Sequence, residues 1–486
     1  MVAVLVVGGL VANVINQRAH SSDPVAEPDA VRVENAILFL VDDMSDFSCA
    51  EADLYLPKSS KWLRQQGTCF ESATTATPVC CPARAQIQTG QLSHNNRVVS
   101  QIAAKSLDVR DTVQHDLALL GIDTYGIGKN LNGIDASEYY GVNGRDNGFA
   151  HFNFWNSYKG PAGAFKLYDD LGRRYTPTDG LSTTETNGAY LDAYLDDKLE
   201  SGDPFFVYDA FVAPHKQGIG GDVSDLPPPS VNHADDPVPP FRFAPEGFDG
   251  DKLKIFRGAR FPRSYYERLF TAKVRALYDV DDQMAATFQR LEDAGALDET
   301  AVIFTSDNGY TDRGQVNWEG KSIPYPAATN IPMLAWFPGR PPAVEKKPVS
   351  LIDIAPTLYD VFGVIPGHVV DGHSLLSDHR RELVYGEFYN ESSGLARRES
   401  GPLASNLRSW RLIKRGRQAY VEWYGNGGVV VFREFYEDAL MKKNLLSPAH
   451  ARDRPPHETL RTFRLLLDQY GTCQGTEEQG SPNPCP

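Results

Sequence analysis

Two oxygen-rich pairs, Asp42-Asp43 and Asp307-Asn308, are the first residues in this chain that invite chemistry. Each closes a short apolar run, Ala36 to Val41 and Ala301 to Thr305, of the kind that forms a strand buried on both faces. Alone, either pair reads as a cap or a turn, because Asp-Asn-Gly is a common turn sequence. Brought together, three carboxylates repel one another and are driven towards their protonated forms. A divalent cation removes that conflict. All-oxygen ligation selects a hard ion: calcium accepts carboxylates plus an amide oxygen, whereas magnesium holds on to water.

The next candidate is Cys80, in Thr77-Pro-Val-Cys-Cys-Pro-Ala-Arg-Ala-Gln-Ile-Gln-Thr-Gly90. Pro82 suits the first turn of a helix, so Cys80 falls at or just before that helix's N-terminus. There the helix dipole and Arg84 favour an anionic or electron-rich group. A thiolate is nevertheless a poor partner for a hard, oxygen-bound cation, and oxygen in place of sulfur resolves the mismatch. The competing reading is a buried structural cysteine. Three cationic candidates stand at comparable places. Lys129 closes Tyr125-Gly-Ile-Gly-Lys129, a predicted strand end; His215 follows the predicted strand Phe205 to Tyr208; Lys321 lies shortly after the second acidic pair. Taken singly they are ordinary surface or loop residues. Chemistry gathered beyond strand C-termini is what open parallel sheets favour for ligand sites.

Cys80-Cys81-Pro82-Ala83-Arg84, followed by Thr89-Gly90, resembles the sulfatase motif Cys-X-Pro-Ser/Ala-Arg, in which the first Cys is oxidised to formylglycine. The resemblance continues through Asp42-Asp43, Gly128-Lys129, Pro214-His215, Thr305-Ser-Asp-Asn-Gly309, Gly320-Lys321 and Ser350-Leu-Ile-Asp-Ile-Ala-Pro-Thr357. It implies an alkaline-phosphatase-like α/β fold and a formylglycine at Cys80, installed by a formylglycine-generating enzyme. One calcium ion is then held by Asp42, Asp43, Asp307, Asn308 and the modified Cys80. One hydroxyl of the hydrated aldehyde attacks sulfur in line, and the second helps to expel sulfate. Arg84, Lys129 and Lys321 surround the sulfate, and His215 protonates the departing alcohol. His94, in Ser93-His94-Asn95-Asn96, matches a position near the substrate pocket, with structure and substrate contact both open to it.

Two positions depart from the family pattern. Leu131 stands where many members carry a second histidine, leaving Asn130 or Asn132 to orient the diol without acting as a base. Pro326 follows Tyr325 where relatives often have an acidic residue. Gly128-Lys-Asn-Leu-Asn132 and the Cys-Cys-Pro run look like the N-acetylglucosamine-6-sulfatase branch. The implied substrate is a sulfated small molecule or glycan, with arylsulfatase activity on synthetic esters expected of any active member. The rivals are a phosphodiesterase or phosphonate monoester hydrolase on the same fold, and an inactive sulfatase-like glycan-binding protein.

The elements that must position these residues alternate between strand and helix. Phe270, Val274, Leu277, Met284, Phe288 and Leu291 recur at helical spacing, with a stop near Gly295, and Ser350 caps a helix reaching Phe362. The Pro- and Gly-dense stretch from Leu226 to Arg263 is expected to lie outside the core, as an insertion walling a cleft. Leu383 to Tyr385, Trp410 to Ile413, Ala419 to Trp423 and Val429 to Phe432 read as short strands, and Thr459 to Tyr470 as a final helix. The expected organisation is a leader or anchor over 1–32, a large mixed-sheet α/β domain over 33–376, a smaller antiparallel α+β domain over 377–472 and a tail over 473–486.

The chain of 486 residues carries a net charge of −15, which argues against a nucleic-acid or anionic-membrane binder. An acidic protein acting on an anion must collect positive charge locally. Val2 to Ile15 is a small-apolar run like a signal-peptide h-region, although it lacks a basic n-region; a single N-terminal anchor is the alternative. In an exported chain Cys473 can pair with Cys485 and Cys49 with Cys69, although spacing does not decide connectivity.

Overall fold

The computed structural model describes residues 31–131, 147–157, 166–170, 173–176, 180–217, 226–227, 232–244, 252–253, 256, 261–316, 318–379, 381–390 and 407–486. The expected leader or anchor lies outside them. Among the described residues no helix is long and apolar enough to cross a membrane.

The apolar run ending at Val41 forms the strand Asn35–Val41, buried at every position. It lies at the centre of a ten-stranded sheet, between the parallel strands Phe205–Ala210 and Thr300–Ser306. Asp123–Gly128 and His151–Ser157 extend the parallel set on one side. Met333–Trp336 runs antiparallel on the other, so the sheet is mixed. Alternating side chains feed two layers. Ile37, Phe39 and Val41 face the helices Thr183–Ser201 and Arg263–Asp293, whereas Ala36, Leu38 and Leu40 face the helices Cys80–Thr89 and Ile354–Phe362. Burial on both faces explains why this strand reads as a continuous hydrophobic run.

Register then places the chemistry. Val41 pairs with Ser306, Leu40 with Ala210, and Ala210 with Gly128, so four parallel strands end at nearly one level. The residues just beyond them are Asp42-Asp43, Asp307-Asn308, Pro214-His215 and Lys129. Gly128 is required at its own strand end: its φ is +86°, and a Cβ there would lie 2.0 Å from the Ala210 carbonyl oxygen. That close approach lets the Lys129 N–H donate to the same carbonyl at 2.7 Å.

Val384–Phe388, Ser409–Arg415, Gln418–Tyr424 and Val430–Tyr436 form a four-stranded antiparallel sheet. One face packs with the helix His457–Tyr470 through Leu460, Phe463 and Leu467. Trp410 and Trp423 on the other face join Val316, Trp318 and Tyr325 from loops of the large sheet. One expectation fails here. Phe256, inside the stretch expected to avoid the core, is fully buried against Trp318, Tyr325 and Trp423. Pro and Gly density says nothing about where a single aromatic packs, and Phe256 fills the seam between the sheets.

Candidate active site

The helix Cys80–Thr89 is buried along its whole length, and Gly90 ends it in the left-handed conformation. Its first residue, Cys80, meets the groups at the strand ends. Sγ of Cys80 lies 3.5 Å from Asp42 Oδ1, 2.7 Å from Lys321 Nζ and 3.4 Å from Lys129 Nζ. Lys129 also pairs with Asp42, and Lys321 reaches Asp43 Oδ1 at 2.5 Å. Arg84, one turn into the helix, donates Nε–H to Asp307 Oδ2 at 2.9 Å and holds the Lys129 carbonyl through Nη1. His215 places Nε2 3.5 Å from Asp43 Oδ2, while its Nδ1 contacts the Lys216 carbonyl. Nine of the ten candidates named above therefore converge, counting Asn308, whose amide donates to Asp43 Oδ1 at 2.6 Å.

His94 is the exception. Its Nδ1 lies 3.0 Å from both carboxylate oxygens of Glu387, and Nε2 lies 3.1 Å from the Cys473 carbonyl oxygen. Both ring nitrogens are engaged with the C-terminal part of the chain. Burial works against protonation of His94, but Glu387 outweighs it and the pKa rises; burial likewise opposes ionisation of Glu387, and His94 brings its pKa down. The His94 contribution is fully present below the ordinary imidazole value of 6.5 and is lost as pH rises through the raised folded value. The Glu387 contribution is present above the ordinary 4.5 and is lost as pH falls through its lowered folded value. His94→Ala is thus expected to cost about 3 kcal/mol in mildly acid solution, because it removes the charged partner of a buried carboxylate and leaves it the Tyr385 and Tyr389 hydroxyls and the backbone N–H of residue 94. Denaturant melts across pH check this: the deficit should narrow on the alkaline side.

At the other departure, Leu131 is buried with Cys81, Ala85, Val98 and Ala104. It fills an apolar cluster behind the helix. Asn130 turns its side-chain oxygen to the amide of Gln88 at 2.8 Å, and Asn132 lies outside the described residues.

The charges in the cluster balance. Three buried carboxylates, Asp42, Asp43 and Asp307, face three buried cations, Arg84, Lys129 and Lys321. Burial opposes ionisation of Asp42, but Lys129, His215, Arg84 and Lys321 pull its pKa well below the usual range. Asp307 moves the other way, raised by burial and by the charge on Asp42. Burial and Asp42 also raise the pKa of the Cys80 thiol. The donor set fits a hard cation. Asn308 Oδ1 is buried without a hydrogen-bond partner, in a group whose other oxygens are carboxylates. A divalent ion there leaves the otherwise balanced cluster with two positive charges to offer.

Several supports were not singled out from sequence. Lys273 contacts the Asp43 carbonyl, and Lys216 pairs with Glu319 and donates to Tyr265 Oη at 2.6 Å. Lys273 carried a readable signal, because it shares a helical face with Phe270, Val274 and Leu277. Asp43 itself has φ of +63°, a strained value that its N–H stabilises by donating to Asp307 Oδ1 at 3.2 Å. The residues over Lys321 are fixed as well: Trp318 Nε1–H donates to the Lys321 carbonyl at 2.8 Å, and Trp410 Nε1–H to that of Ser322 at 2.9 Å.

A mixed sheet carrying such a cluster at the C-terminal ends of its parallel strands is the alkaline-phosphatase-like fold. Solved structures share the fold. A protein in complex with its substrate D-glucosamine-2-N,6-O-disulfate superposes with a TM-score of 0.67 at 17% identity, over 90% of this chain and 97% of that one. The phosphonate monoester hydrolase from Silicibacter pomeroyi gives 0.64 at 19% identity, over 89% and 94%. A sequence model described as Sulfatase matches residues 34–364, and the chain belongs to the sulfatase family. Among its relatives, a Caenorhabditis elegans putative extracellular sulfatase Sulf-1 homolog is 27% identical over 90% of this chain and 60% of its own length. Human N-acetylglucosamine-6-sulfatase is 28% identical over 71% of this chain and 64% of its own length. The alignments thus span less than two thirds of these relatives.

Proposed function

We propose that this chain is a sulfuric ester hydrolase that releases inorganic sulfate from a sulfated sugar, with a formylglycine made from Cys80 as its nucleophile. One observation carries the reading: two ammonium groups and a carboxylate converge on Sγ of a buried cysteine. Sulfur is a weak acceptor, so two ammonium groups directed at it are mismatched. Sγ stands where an oxygen of the modified residue would lie, and oxygen is the partner these groups suit.

Asp42, Asp43, Asp307, Asn308 and the modified Cys80 would hold calcium, which would supply Lewis-acid polarisation when bound. The chain's own residues do the rest. Lys321 and Lys129 would lower the pKa of the hydroxyls on the modified residue and meet the charge that grows in the transition state. Arg84 fixes Asp307 and, through the Lys129 carbonyl, the strand end that presents Lys129. His215, anchored at Nδ1, points Nε2 into the cluster and donates a proton to the departing alcohol.

The named relatives and the disulfated glucosamine of the structural neighbour support a sulfated amino sugar, and a 6-O-sulfated N-acetylglucosamine unit is our reading of the substrate. The bonds Cys49–Cys69 and Cys473–Cys485 support export through an oxidising compartment, where a formylglycine-generating enzyme would act. Turnover of paired aryl esters tests the class: kcat/KM for the sulfate should exceed that for the phosphate by at least about 100-fold. Preference for the phosphate would favour the phosphonate monoester hydrolase reading. Chelation should suppress sulfate release, with recovery on adding calcium; undiminished turnover in chelator would contradict the metal assignment.

A further inference from the structure

We propose that Lys273 is a positioning residue of the metal site: it clamps the two ligand-bearing loops together, and so holds Asp43 where it can serve a calcium ion and His215 at once. The inference rests on the calcium reading above. Lys273 comes from the Arg263–Asp293 helix and is buried. Its Nζ contacts the carbonyl oxygen of Asp43, in the first loop. The same atom lies 4.3 Å from the centre of the Tyr310 ring and 4.0 Å from Asp312 Oδ2, in the loop that follows Asp307-Asn308. One ammonium thus bridges the chain beyond Asn35–Val41 and the chain beyond Thr300–Ser306. Its base is firm. Phe270, Val274 and Leu277 on that helix pack with Ile37, Phe39 and Val41 of the strand that leads into Asp42-Asp43.

The clamp matters because Asp43 holds a conformation that its residue type does not prefer. A side-chain-bearing residue in the left-handed region costs about 1–2 kcal/mol, and the φ of +63° persists only where the surroundings impose it. That turn aims the carboxylate. Oδ1 meets Lys321 at 2.5 Å and Asn308 at 2.6 Å, while Oδ2 lies 3.5 Å from His215 Nε2. The backbone N–H of Asp43 donates to Asp307 Oδ1 at 3.2 Å. All of these partners are groups assigned above to calcium or to the reaction, so each has a second task once an ion and a substrate arrive. Lys273 holds the backbone from outside that set. It can therefore keep the turn in place while the carboxylate exchanges its partners.

Calcium chloride titrated calorimetrically into the whole, metal-free protein tests the role. Coulomb's law alone predicts that removing a positive charge beside the ion tightens binding; loss of positioning predicts the opposite sign. Lys273→Met should weaken calcium binding at least about tenfold. Lys216→Met removes an equally buried ammonium, held by Glu319 and Tyr265, and should bind calcium as the parent does or more tightly. Terbium(III) in place of calcium supplies a second readout. Its luminescence lifetimes in light and heavy water count bound waters, and Lys273→Met should gain about one as Asp43 loses its hold. That count comes only from loaded, folded molecules, so it stands where the variant is partly unfolded. Calcium affinity in Lys273→Met equal to the parent's or above it, or an unchanged water count, overturns the proposal. Equal weakening in Lys216→Met overturns it too, by making the loss a general effect of a missing buried charge. A parent that binds no calcium removes the calcium reading and this role with it. A parent that binds, beside a Lys273→Met protein that binds as well, removes only the role of Lys273.

Discussion

Cys80→Ala is expected to lower sulfate release by about 10⁴-fold or more while leaving a folded protein, because a nucleophile acting with its neighbours cannot be replaced by any one of them. The fold should survive because little rests on the sulfur. The helix that begins at Cys80 is held by its buried length and by Arg84, and the loss of one Sγ costs about 1 kcal/mol. The lysines keep Asp42 and Asp43 as partners. Cys81→Ala is the internal control. Cys81 packs with Ala85, Val98 and Leu131 behind the helix, and its backbone N–H donates to Gln101 at 3.0 Å, a bond that alanine retains. Activity should remain near that of the parent. The intact mass of the peptide containing Cys80 separates the chemical claim from the structural one. In active protein it should be lower by one sulfur and two hydrogens and higher by one oxygen. Full activity with an unmodified thiol, or complete loss in Cys81→Ala, would assign the nucleophile elsewhere.

The site was legible in the sequence where it depends on chain-local signals. Strands buried on both faces have to be apolar throughout, so Asn35–Val41 and Thr300–Ser306 announced themselves, and the acidic pairs stood out where the runs stopped. The helix from Cys80 was readable because Pro82 fits only its first turn. What was not legible depends on which elements meet. Nothing local to Ser93-His94 says that its imidazole will find Glu387 on a strand of the second sheet. Likewise, nothing local to Phe256 says that it will sit between Trp318 and Trp423. Leu131 is the instructive middle case. Its apolar character was plain, yet only the packed structure shows that the position joins the cluster behind the helix rather than the groups around Cys80.

On the proposed reading, in which the Lys321 ammonium meets charge growing in the transition state, Lys321→Met is expected to lower kcat by about 10²–10³-fold with a smaller effect on KM. The side chain is wholly buried, 2.7 Å from Sγ of Cys80 and 2.5 Å from Asp43 Oδ1. Burial disfavours its charge, yet Asp43 leads a set of groups that outweigh burial and hold its pKa well above the ordinary value. A fixed, dry, charged group pointed at the nucleophile is the arrangement that stabilises a transition state selectively. The same burial means that methionine also takes the ammonium partner from Asp43, leaving it Asn308 and His215, so stability should fall by about 3 kcal/mol. Lys216→Met separates the two effects. Lys216 is buried and paired with Glu319, but its ammonium serves Tyr265 and Glu319 and not Cys80. It should cost comparable stability and far less kcat. If both variants lose kcat only in proportion to folded protein, Lys321 is structural. A separation of two orders of magnitude between them at equal folded fraction places Lys321 in the reaction.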